Sequence, residues 1–361
     1  MSTFAVRVVP FTLEKHPNAD SLSIATIKGW QCIVKTDEFQ NESLGVYVPL
    51  DAVADKEHPL LSFMEGKKVK TIRLRQVISQ GILLPFTKVL NYISTTHGEV
   101  FPFPGEGDDL KELLFIRKWE PPPEPMRGTS VPDFMAIELP DEMQKYTDIE
   151  NVKNFPEVLV EGEEVVITEK LHGTSARFGL IDGKFYIGSR NRGLRTENFI
   201  SKAGELIEIK KSTWHEVAEK ENIIEILKNL TVSLNSNKII LYGEIVGKSI
   251  QDLKYGHEEP TFYAYDVAYV DSDGLTKYLS ASSFRETVGS AGAKLVPLIK
   301  VGPYSKADLE LRNGKTTLND SHVREGVVIE PSQPRFDRSL GRVILKSIGE
   351  EYLLRKGATD Y

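Results

Sequence analysis

A proline-rich segment divides this chain of 361 residues into two parts, and it reads Lys118-Trp119-Glu120-Pro121-Pro122-Pro123-Glu124-Pro125. Proline lacks the amide hydrogen and restricts the residue before it, so neither a helix nor a central strand continues through this run. Such a run is typical of a semi-rigid spacer. We therefore predict a first domain over residues 1–117, a linker over 118–135 and a larger domain over 136–361.

The composition indicates a folded protein that works inside the cell. Hydrophobic residues make up 40% of the chain and charged residues 27%, which excludes a disordered or fibrous protein. The sequence contains neither a long apolar run nor a signal peptide, so we expect no membrane partner. The single cysteine, Cys32, has no disulfide partner and is expected in the core. We predict an intracellular monomer, cytoplasmic or nuclear or in an organelle.

Short predicted strands fill the first region. Strands that are this short and this close together, with turn residues between them, favour a small closed β-barrel. The predicted strands are residues 5–10, 23–27, 31–36, 44–49, 68–75 and 81–85.

Two stretches of this region resemble parts of the OB-fold modules that bind tRNA. They are His16-Pro17-Asn18-Ala19-Asp20-Ser21-Leu22, and Ile72-Arg73-Leu74-Arg75 with the later Ser79-Gln80-Gly81-Ile82-Leu83-Leu84. The resemblance implies a nucleic-acid-binding OB-like domain. Its predicted contacts are the basic residues Lys67, Lys68, Lys70, Arg73 and Arg75. Taken alone, this run also fits the solvated face of a strand, and the net charge of −7 argues weakly against a nucleic-acid partner.

The second region mixes strands with helices and predicts an α+β domain. Residues 165–169, 184–189, 238–243, 261–267, 326–330 and 342–346 are rich in β-branched or aromatic side chains and are predicted strands. Residues 204–230 have a mostly helical pattern. The predicted apolar stripe of that segment consists of Leu206, Ile207, Val217, Ile223, Ile224 and Leu227.

Six short elements follow one another along the second region. A single Lys-x-x-Gly match occurs easily by chance, and Lys346-Ser347-Ile348-Gly349 is a second one in this chain, but six elements in one order are hard to obtain by accident. The elements are Lys170-Leu171-His172-Gly173, Ser189-Arg190-Asn191, Tyr242-Gly243-Glu244, Phe262-Tyr263-Ala264-Tyr265-Asp266, Arg324-Glu325-Gly326-Val327-Val328-Ile329 and Val343-Ile344-Leu345-Lys346.

This succession resembles the motifs of the polynucleotide ligase and RNA-capping superfamily over residues 160–350. The resemblance implies a nucleotidyltransferase domain with ATP-grasp-like antiparallel sheets and helices. His172 is typical of RNA ligases of the second phage type, since DNA ligases and capping enzymes have Asp there. The 15 residues after Lys346 leave no room for the C-terminal OB domain of those enzymes. The chain thus resembles ATP-dependent RNA ligases that carry an N-terminal OB module.

The chemistry of the motif residues fits nucleotidyl transfer. Lys170, the expected AMP-lysine nucleophile, attacks only as a neutral amine, yet about one lysine in a thousand is neutral at pH 7.4. Burial and nearby cations lower a lysine pKa, and Lys346 with a bound Mg²⁺ or Mn²⁺ would supply them. Glu244 and Glu325 are predicted metal ligands, because magnesium prefers oxygen atoms, and Asp266 is a further predicted ligand of the metal or its water.

The resemblance implies further contacts to ATP and to the polynucleotide ends. Arg190 is expected to hold a phosphate, and Tyr265 to stack on the adenine. Asp266 would orient a ribose hydroxyl or a metal water, and His172 would contact phosphate or the ends. The carbonyl of Glu169 would face the adenine amino group. Gly173 completes the lysine motif. Taken singly, these residues also fit ordinary surface or core positions.

The chain departs from the family pattern at two positions. The last motif usually has two lysines separated by one residue, but Ile344 replaces the first of them. We expect Arg342, Ile344 and Lys346 to alternate onto one face of a strand, so that Arg342 supplies the missing charge to the nucleotide. Ser175 stands where related RNA ligases have Asn, which removes any contact made by an amide.

The sequence therefore predicts an ATP-dependent RNA ligase that seals 3′-hydroxyl and 5′-phosphate ends, at duplex nicks, through a Lys170-AMP intermediate. Two alternatives remain at this point. One is a DNA ligase or a capping-type guanylyltransferase, and the other is a non-catalytic adaptor that binds tRNA or another RNA.

Overall fold

The computed structural model describes residues 4–98, 103–119, 135–200 and 205–355. The chain forms two compact units. The first comprises residues 1–122, 150–157 and 348–361, and the second comprises 123–149 and 158–347. Most of the predicted linker, residues 120–134, lies outside the described residues.

The first unit begins with ten short strands. They are β1 (Arg7–Pro10), β2 (Thr12–Lys15), β3 (Leu22–Ile27), β4 (Trp30–Lys35), β5 (Leu44–Val48), β6 (Ala52–Val53), β7 (Ile72–Leu74), β8 (Val77–Ser79), β9 (Ile82–Pro85) and β10 (Arg117–Lys118). Two α-helices, α1 (Thr36–Phe39) and α2 (Phe86–His97), and a 3₁₀ helix, Ser62–Met64, accompany them.

The strands of the first unit form separate antiparallel sheets. Two sheets have three strands each, in the orders β1-β5-β9 and β2-β3-β4, and β7-β8 and β10-β6 are two-stranded. Along β3 and β4 every second residue is buried, as expected for strands with one face on a core. Cys32 lies in that core, as predicted, and burial raises the pKa of its thiol to about 12. The prediction of a closed barrel was wrong for the described residues, since hydrogen bonding does not join these sheets into a ring.

Two further predictions for this unit need correction. Residues 86–97, which lie in the region predicted to contain only strands, form the helix α2, with Val89 and Ile93 buried one turn apart and Gly98 at φ +77° after its last residue. The predicted strand over 68–75 shrinks to β7. It turns into β8 through Arg75 and Gln76, whose positive φ angles form a tight hairpin without glycine.

The second unit contains two large antiparallel sheets, two small two-stranded ones and several helices, which confirms the α+β prediction. The remaining strands of the chain are β11 (Ala136–Ile137), β12 (Glu150–Asn151), β13 (Glu164–Lys170), β14 (Thr174–Ile181), β15 (Lys184–Ser189), β16 (Gly193–Leu194), β17 (Phe199–Ile200), β18 (Leu206–Ile207), β19 (Lys238–Val246), β20 (Thr261–Val270), β21 (Thr276–Tyr278), β22 (Leu298–Pro303), β23 (Gly326–Pro331), β24 (Phe336–Asp337), β25 (Gly341–Arg342) and β26 (Leu345–Ile348).

Helices complete the second unit and the end of the chain. The larger sheet has the order β11-β16-β15-β14-β19-β20-β21, and the second sheet includes β26-β23-β13-β22 in that order. The apolar faces of the helices within residues 213–290 share one core with β14, β19 and β20. The α-helices are α3 (Thr213–Lys220), α4 (Ile223–Leu234), α5 (Ala281–Ser290) and α6 (Glu350–Leu353), with 3₁₀ helices Val152–Asn154 and Lys306–Arg312. No helix in the described ranges is long and apolar enough to cross a membrane.

The predicted helical segment over 204–230 is only partly correct. Leu206 and Ile207 form β18 and pair with β17, and Leu206 is 63% exposed. The first helix begins after Ser212, which caps it together with His215. Ile224 is 43% exposed and lies outside the buried stripe. The β14 and β22 strands were not predicted.

Candidate active site

Lys170 is the last residue of β13 and lies beside the start of β23. Its Cα pairs with that of Gly326, and the preceding residue, Glu325, extends towards it. Lys170 Nζ is 2.7 Å from Glu325 Oε1. The lysine side chain is 23% exposed, whereas the carboxylate is buried. The fold therefore joins the predicted nucleophile and a predicted metal ligand that are far apart in sequence.

Glu244 is the third member of this group and comes from the larger sheet. It lies on β19 and is half-buried. Burial raises the pKa of its carboxyl group to about 8. Lys170 favours the ionised form, and the negative charge of Glu325 opposes it. Two acidic groups beside one lysine form a site that attracts further positive charge.

Glycines permit the close approach of the strands at this site. A Cβ on Gly173 would lie 2.2 Å from the carbonyl oxygen of Ile245, and a Cβ on Gly243 would lie 2.2 Å from the ring of Phe262. Any larger residue at either position would push a backbone or a buried ring aside. These two contacts explain why the Lys-x-His-Gly and Tyr-Gly-Glu elements contain glycine.

A β-bulge separates Tyr265 from Asp266. The pairing of β19 with β20 shifts between Tyr242, which faces Asp266, and Gly243, which faces Ala264, so Tyr265 is the extra residue. The Tyr265 hydroxyl lies 3.3 Å from Ser175 Oγ. Burial raises the pKa of this phenol, and the charge of Glu244 contributes. Tyr265 thus belongs to the surroundings of Glu244.

Asp266 belongs to a different cluster. Its Oδ2 accepts hydrogen bonds from the Tyr146 hydroxyl, at 2.7 Å, and from Arg342 Nη1. Arg342 Nη2 also lies 3.3 Å from Glu330 Oε2. We call Tyr146, Asp266, Glu330 and Arg342 the buried arginine cluster. Within the described ranges no three His, Cys, Asp or Glu side chains are arranged to hold a metal ion, and the Asp266 carboxylate is paired with Arg342.

The expected alternation of Arg342, Ile344 and Lys346 was wrong. The strand β25 ends at Arg342, and β26 begins only at Leu345, so the residues between them leave the strand. The Arg342 guanidinium is buried, paired with two carboxylates and stacked 4.2 Å from the ring of Tyr278. Lys346 is buried on β26, next to the strand that follows Glu325.

Three other predicted site residues, Glu169, His172 and Arg190, have partners of their own. Arg190 is half-exposed and pairs with Asp148, and its positive charge favours the ionised form of Glu244, lowering the pKa of that carboxyl. His172 Nε2 is 3.2 Å from Asp252 Oδ1. The side chain of Glu169 is buried.

The Glu169 carboxylate is held from the loop before β23. Its Oε2 accepts hydrogen bonds from the Thr317 amide at 2.8 Å and from the Thr317 hydroxyl at 2.5 Å. Arg324 Nε lies 3.7 Å away. The other carboxylate oxygen of Glu169, Oε1, has no hydrogen-bond partner among the described residues.

Sequence reasoning missed Tyr146, Tyr255 and Thr317. Tyr255 lies in the loop between β19 and β20, is buried and accepts a hydrogen bond from the His172 amide at 2.6 Å. None of the three belongs to a motif. Each lies in a loop, and the position of a loop relative to Lys170 depends on the tertiary fold. A cluster of turn residues near Tyr255 marked only a loop.

The predicted nucleic-acid residues of the first unit differ in their surroundings. Lys68 is buried in an ion pair of 2.8 Å with Asp51 and lies 4.1 Å from the ring of Trp119. Lys67 is exposed and pairs with Glu65. The other three, Lys70, Arg73 and Arg75, are exposed.

Asn18 connects the two stretches that resemble OB-fold modules. Its Nδ2 donates a hydrogen bond of 2.9 Å to the carbonyl oxygen of Arg75. The residues that carried the OB resemblance are therefore neighbours at the tip of the β7-β8 hairpin.

A lysine held against a buried carboxylate, with a second carboxylate beside it, has the residue types that covalent nucleotidyl transfer uses. The model of the RNA ligase family matches residues 163–348, which is more than half of the chain. The chain belongs to the RNA ligase family. A model described as an OB-fold domain matches residues 5–86 and confirms the predicted first domain type.

Solved structures of a Naegleria gruberi RNA ligase resemble nearly the whole chain. A variant with AMP and Mn has a TM-score of 0.74 at 25% identity and covers 97% of this chain and 98% of that one. A variant with ATP and Mn has a TM-score of 0.73 at 25% identity, with the same coverage. The enzyme with PPi has a TM-score of 0.74 at 26% identity and covers 98% of both chains. No curated protein sequence matches the chain. These likenesses do not favour a capping enzyme, a DNA ligase or an adaptor.

Proposed function

We propose that this RNA ligase uses ATP and forms a covalent Lys170-AMP intermediate. The observation that carries the proposal is the distance of 2.7 Å between Lys170 Nζ and the buried Glu325. Glu244 is near enough for the charges of both residues to influence the pKa of its carboxyl group. The Naegleria enzyme, solved with ATP, AMP and Mn, supports ATP and Mg²⁺ or Mn²⁺ as the nucleotide and metal.

The residues present fit a divalent metal ion. Glu325 Oε2 is buried and has no hydrogen-bond partner among the described residues, which suits an atom that ligates a cation. Magnesium commonly binds to one or two carboxylates and completes its shell with water and substrate phosphates. Glu244 and Glu325 would hold it, and the bound ion would neutralise phosphate charge and the charge of Glu325.

The position of Lys170 indicates how the amine is controlled. A neighbouring carboxylate favours the ammonium form of a lysine, so the pair with Glu325 holds Lys170 in place but opposes its attack. Neutralising Glu325 therefore favours the neutral amine. This differs from the sequence-based expectation, in which burial and nearby cations acted directly on the lysine.

The proposed reaction has three steps. The Lys170 amine, having lost a proton, attacks the α-phosphorus of ATP, and pyrophosphate leaves. An oxygen of the RNA 5′-phosphate then attacks the lysine-bound phosphorus, and the lysine leaves. Finally the RNA 3′-hydroxyl attacks the 5′-phosphorus, loses its proton and displaces AMP, which forms the phosphodiester.

Other residues of the second unit are proposed to bind the nucleotide. Arg190 and Lys346 would contact phosphates, and Tyr265 would stack on the adenine. Glu169 and Gly173 would line the adenine side through the main chain. His172 would contact phosphate. Asp266 and Arg342 would act by holding the adenine platform, since their charges are paired with each other.

Labelling with ATP tests the covalent step. Wild-type protein incubated with α-labelled ATP and Mg²⁺ should retain label after denaturation, and Lys170→Ala should retain none. Lys277→Ala, which removes an exposed lysine of the same unit, serves as a matched control and should label normally. Equal labelling of the wild type and Lys170→Ala would refute the proposal.

The first unit is proposed to bind RNA. We propose 1–117 as the binding domain, 118–135 as a spacer and 136–361 as the adenylyltransferase domain. The proposed phosphate contacts are the exposed residues Lys67, Lys70, Arg73 and Arg75. Lys68 forms a buried ion pair with Asp51 and would stabilise the fold instead. Replacing Arg73 and Arg75 with Ala should weaken RNA binding and reduce its salt dependence. Unchanged binding would remove these residues from the proposal.

The preferred RNA is proposed to be a duplex nick with a 3′-hydroxyl and a 5′-phosphate. A panel of nicked duplexes, hybrid nicks and single-stranded ends should show the fastest sealing for the nicked duplex. A monomer acting inside the cell is also proposed, because all the residues assigned to nucleotidyl transfer belong to one unit of one chain and ATP is an intracellular substrate. Sedimentation of the protein with RNA tests the monomer.

A further inference from the structure

The loop between β19 and β20 has a defined conformation beside Lys170. Leu253 and Tyr255 are buried within it, and the Lys248 amide donates a hydrogen bond of 3.2 Å to the carbonyl oxygen of His257. Gly247 adopts φ +123°, and a Cβ there would lie 2.5 Å from the carbonyl oxygen of Glu259. The loop is therefore anchored at both ends and in its middle.

Two residues of this loop hold His172 at different points. Asp252 Oδ1 lies 3.2 Å from the ring atom Nε2, and the Tyr255 hydroxyl accepts a hydrogen bond of 2.6 Å from the main-chain amide. One contact orients the imidazole, and the other fixes the backbone two residues after Lys170. Together they determine the position and the rotation of the ring.

Tyr255 is itself held firmly. Its side chain is 2% exposed, and its ring packs edge-on against His322, with centroids 4.6 Å apart. Its φ of +53° lies in a region that residues other than glycine seldom occupy. Such a backbone conformation persists only where its surroundings impose it, and it is common at functional sites.

We propose that Asp252 and Tyr255 are positioning residues for nucleotidyl transfer and that they act through His172. This inference rests on the proposed function, in which His172 contacts phosphate. Asp252 touches no reacting atom in this assignment. Its half-exposed carboxylate orients the imidazole, while the phenol of Tyr255 fixes the backbone of His172, two residues after Lys170.

A mutant cycle on Asp252 and His172 tests the proposal in the full-length protein. Asp252→Ala should slow Lys170 adenylylation by about tenfold to hundredfold, as expected for a misplaced group, with little change in the KM for ATP. Asp252→Asn keeps an oxygen acceptor and should recover part of the rate. In a His172→Ala background, Asp252→Ala should have no further effect, because residues that act as a unit are not additive.

Glu258→Ala is the matched control, since it removes an exposed carboxylate of the same loop that pairs only loosely, at 3.6 Å, with Lys248. Its rate should equal that of the wild type. A normal rate for Asp252→Ala, or an undiminished effect of that change without His172, would overturn the proposal.

Tyr255→Phe tests the second contact. It keeps the buried ring but leaves the His172 amide without its acceptor. We expect a rate loss of about tenfold in the folded protein and a slightly lower thermal midpoint. A rate equal to that of the wild type would remove Tyr255 from the proposal.

Nuclear magnetic resonance of ¹⁵N-histidine separates failure of this inference from failure of the proposed function. His172 ring signals, assigned by their loss in His172→Ala, should shift in Asp252→Ala and stay unchanged in Glu258→Ala. This readout needs no activity, so it decides the contact even if ATP leaves no label or if His172→Ala is too slow to measure. An unshifted signal in Asp252→Ala would overturn the inference.

Discussion

Two charged clusters of the second unit contain similar residues and differ in how completely their charges are paired. In the group around Lys170, the lysine is partly exposed and one oxygen of Glu325 has no hydrogen-bond partner among the described residues. In the buried arginine cluster, Asp266 receives hydrogen bonds from Tyr146 and Arg342. The group around Lys170 therefore has a carboxylate oxygen that could accept a cation. In the buried arginine cluster, the Asp266 carboxylate is already paired within the protein.

From this difference we infer that an acidic residue in a family motif, such as Asp266, can support the fold rather than take part in the chemistry. An incompletely paired buried carboxylate costs stability, and such a cost is typical of functional sites. A buried guanidinium between two carboxylates instead supports a fixed arrangement of strands. Asp266 stands beside Tyr265 in sequence, yet the bulge assigns these two neighbours to different clusters.

The largest expected effect is on folding, from Arg342→Met. This change leaves Asp266 and Glu330 buried without their cation and should lower the free energy of unfolding by about 3–5 kcal/mol. Denaturant unfolding measures it, and the folded fraction should still adenylylate Lys170. If stability were unchanged and adenylylation were lost, Arg342 would contact the nucleotide, as the sequence pattern suggested, and the contrast between the two clusters would fail.

Glu325→Gln should affect catalysis rather than folding. Removing one charged group from a prearranged site costs about 10²–10³-fold in rate. The amide would also favour the neutral amine of Lys170, but we expect the loss of a metal ligand and of the ion pair that holds Lys170 to outweigh that gain. Single-turnover labelling with ATP measures the rate, and unfolding should change little. Glu164→Gln, an exposed position on the same strand as Lys170, is the control. Equal rates for the two variants would contradict the assignment.

Glu330 should make stability depend on pH. Burial raises the pKa of its carboxyl from about 4.5 to about 8, and the neighbouring Asp266 adds to this. The folded state therefore holds a proton that the unfolded state releases between these values. The contribution is fully present below pH 4.5 and is lost as the pH rises towards 8, by up to about 1.4 kcal/mol per pH unit. Unfolding of wild type and Glu330→Gln from pH 5 to 8 should show a flatter profile for the variant, and parallel profiles would count against it.

Tyr265→Phe should have the smallest effect. It removes the hydroxyl near Ser175 but keeps the ring, so it should change ATP binding by no more than about 0.5–1.5 kcal/mol. Tyr265→Ala, which removes the proposed adenine platform, should raise the KM for ATP more. Equal losses for Phe and Ala would show that the hydroxyl, and not the ring, contacts the nucleotide.

Local sequence patterns predicted much of the fold and the main members of the site. The strand over 184–189 has the predicted bounds. The predicted strands over 165–169 and 238–243 are longer in the structure and extend to Lys170 and past Glu244. The eight-residue strand β14 was missed although Ala176, Phe178 and Leu180 form an alternating apolar pattern, because Gly179 lies inside it and glycine weakens a strand. The helix α2 was missed because it follows six strand predictions without a polar cap.

By itself, the sequence determined the family and singled out the residues that we propose for the chemistry, because a lysine at the end of a strand and acidic residues beside glycines form recognisable local patterns. Only the tertiary structure decided their partners. Asp266 and Arg342 are separated by 76 positions, and no local pattern encodes their contact. Strand pairing, one bulge and a loop determine which charges meet, because these depend on hydrogen bonds and packing between segments that are distant along the chain.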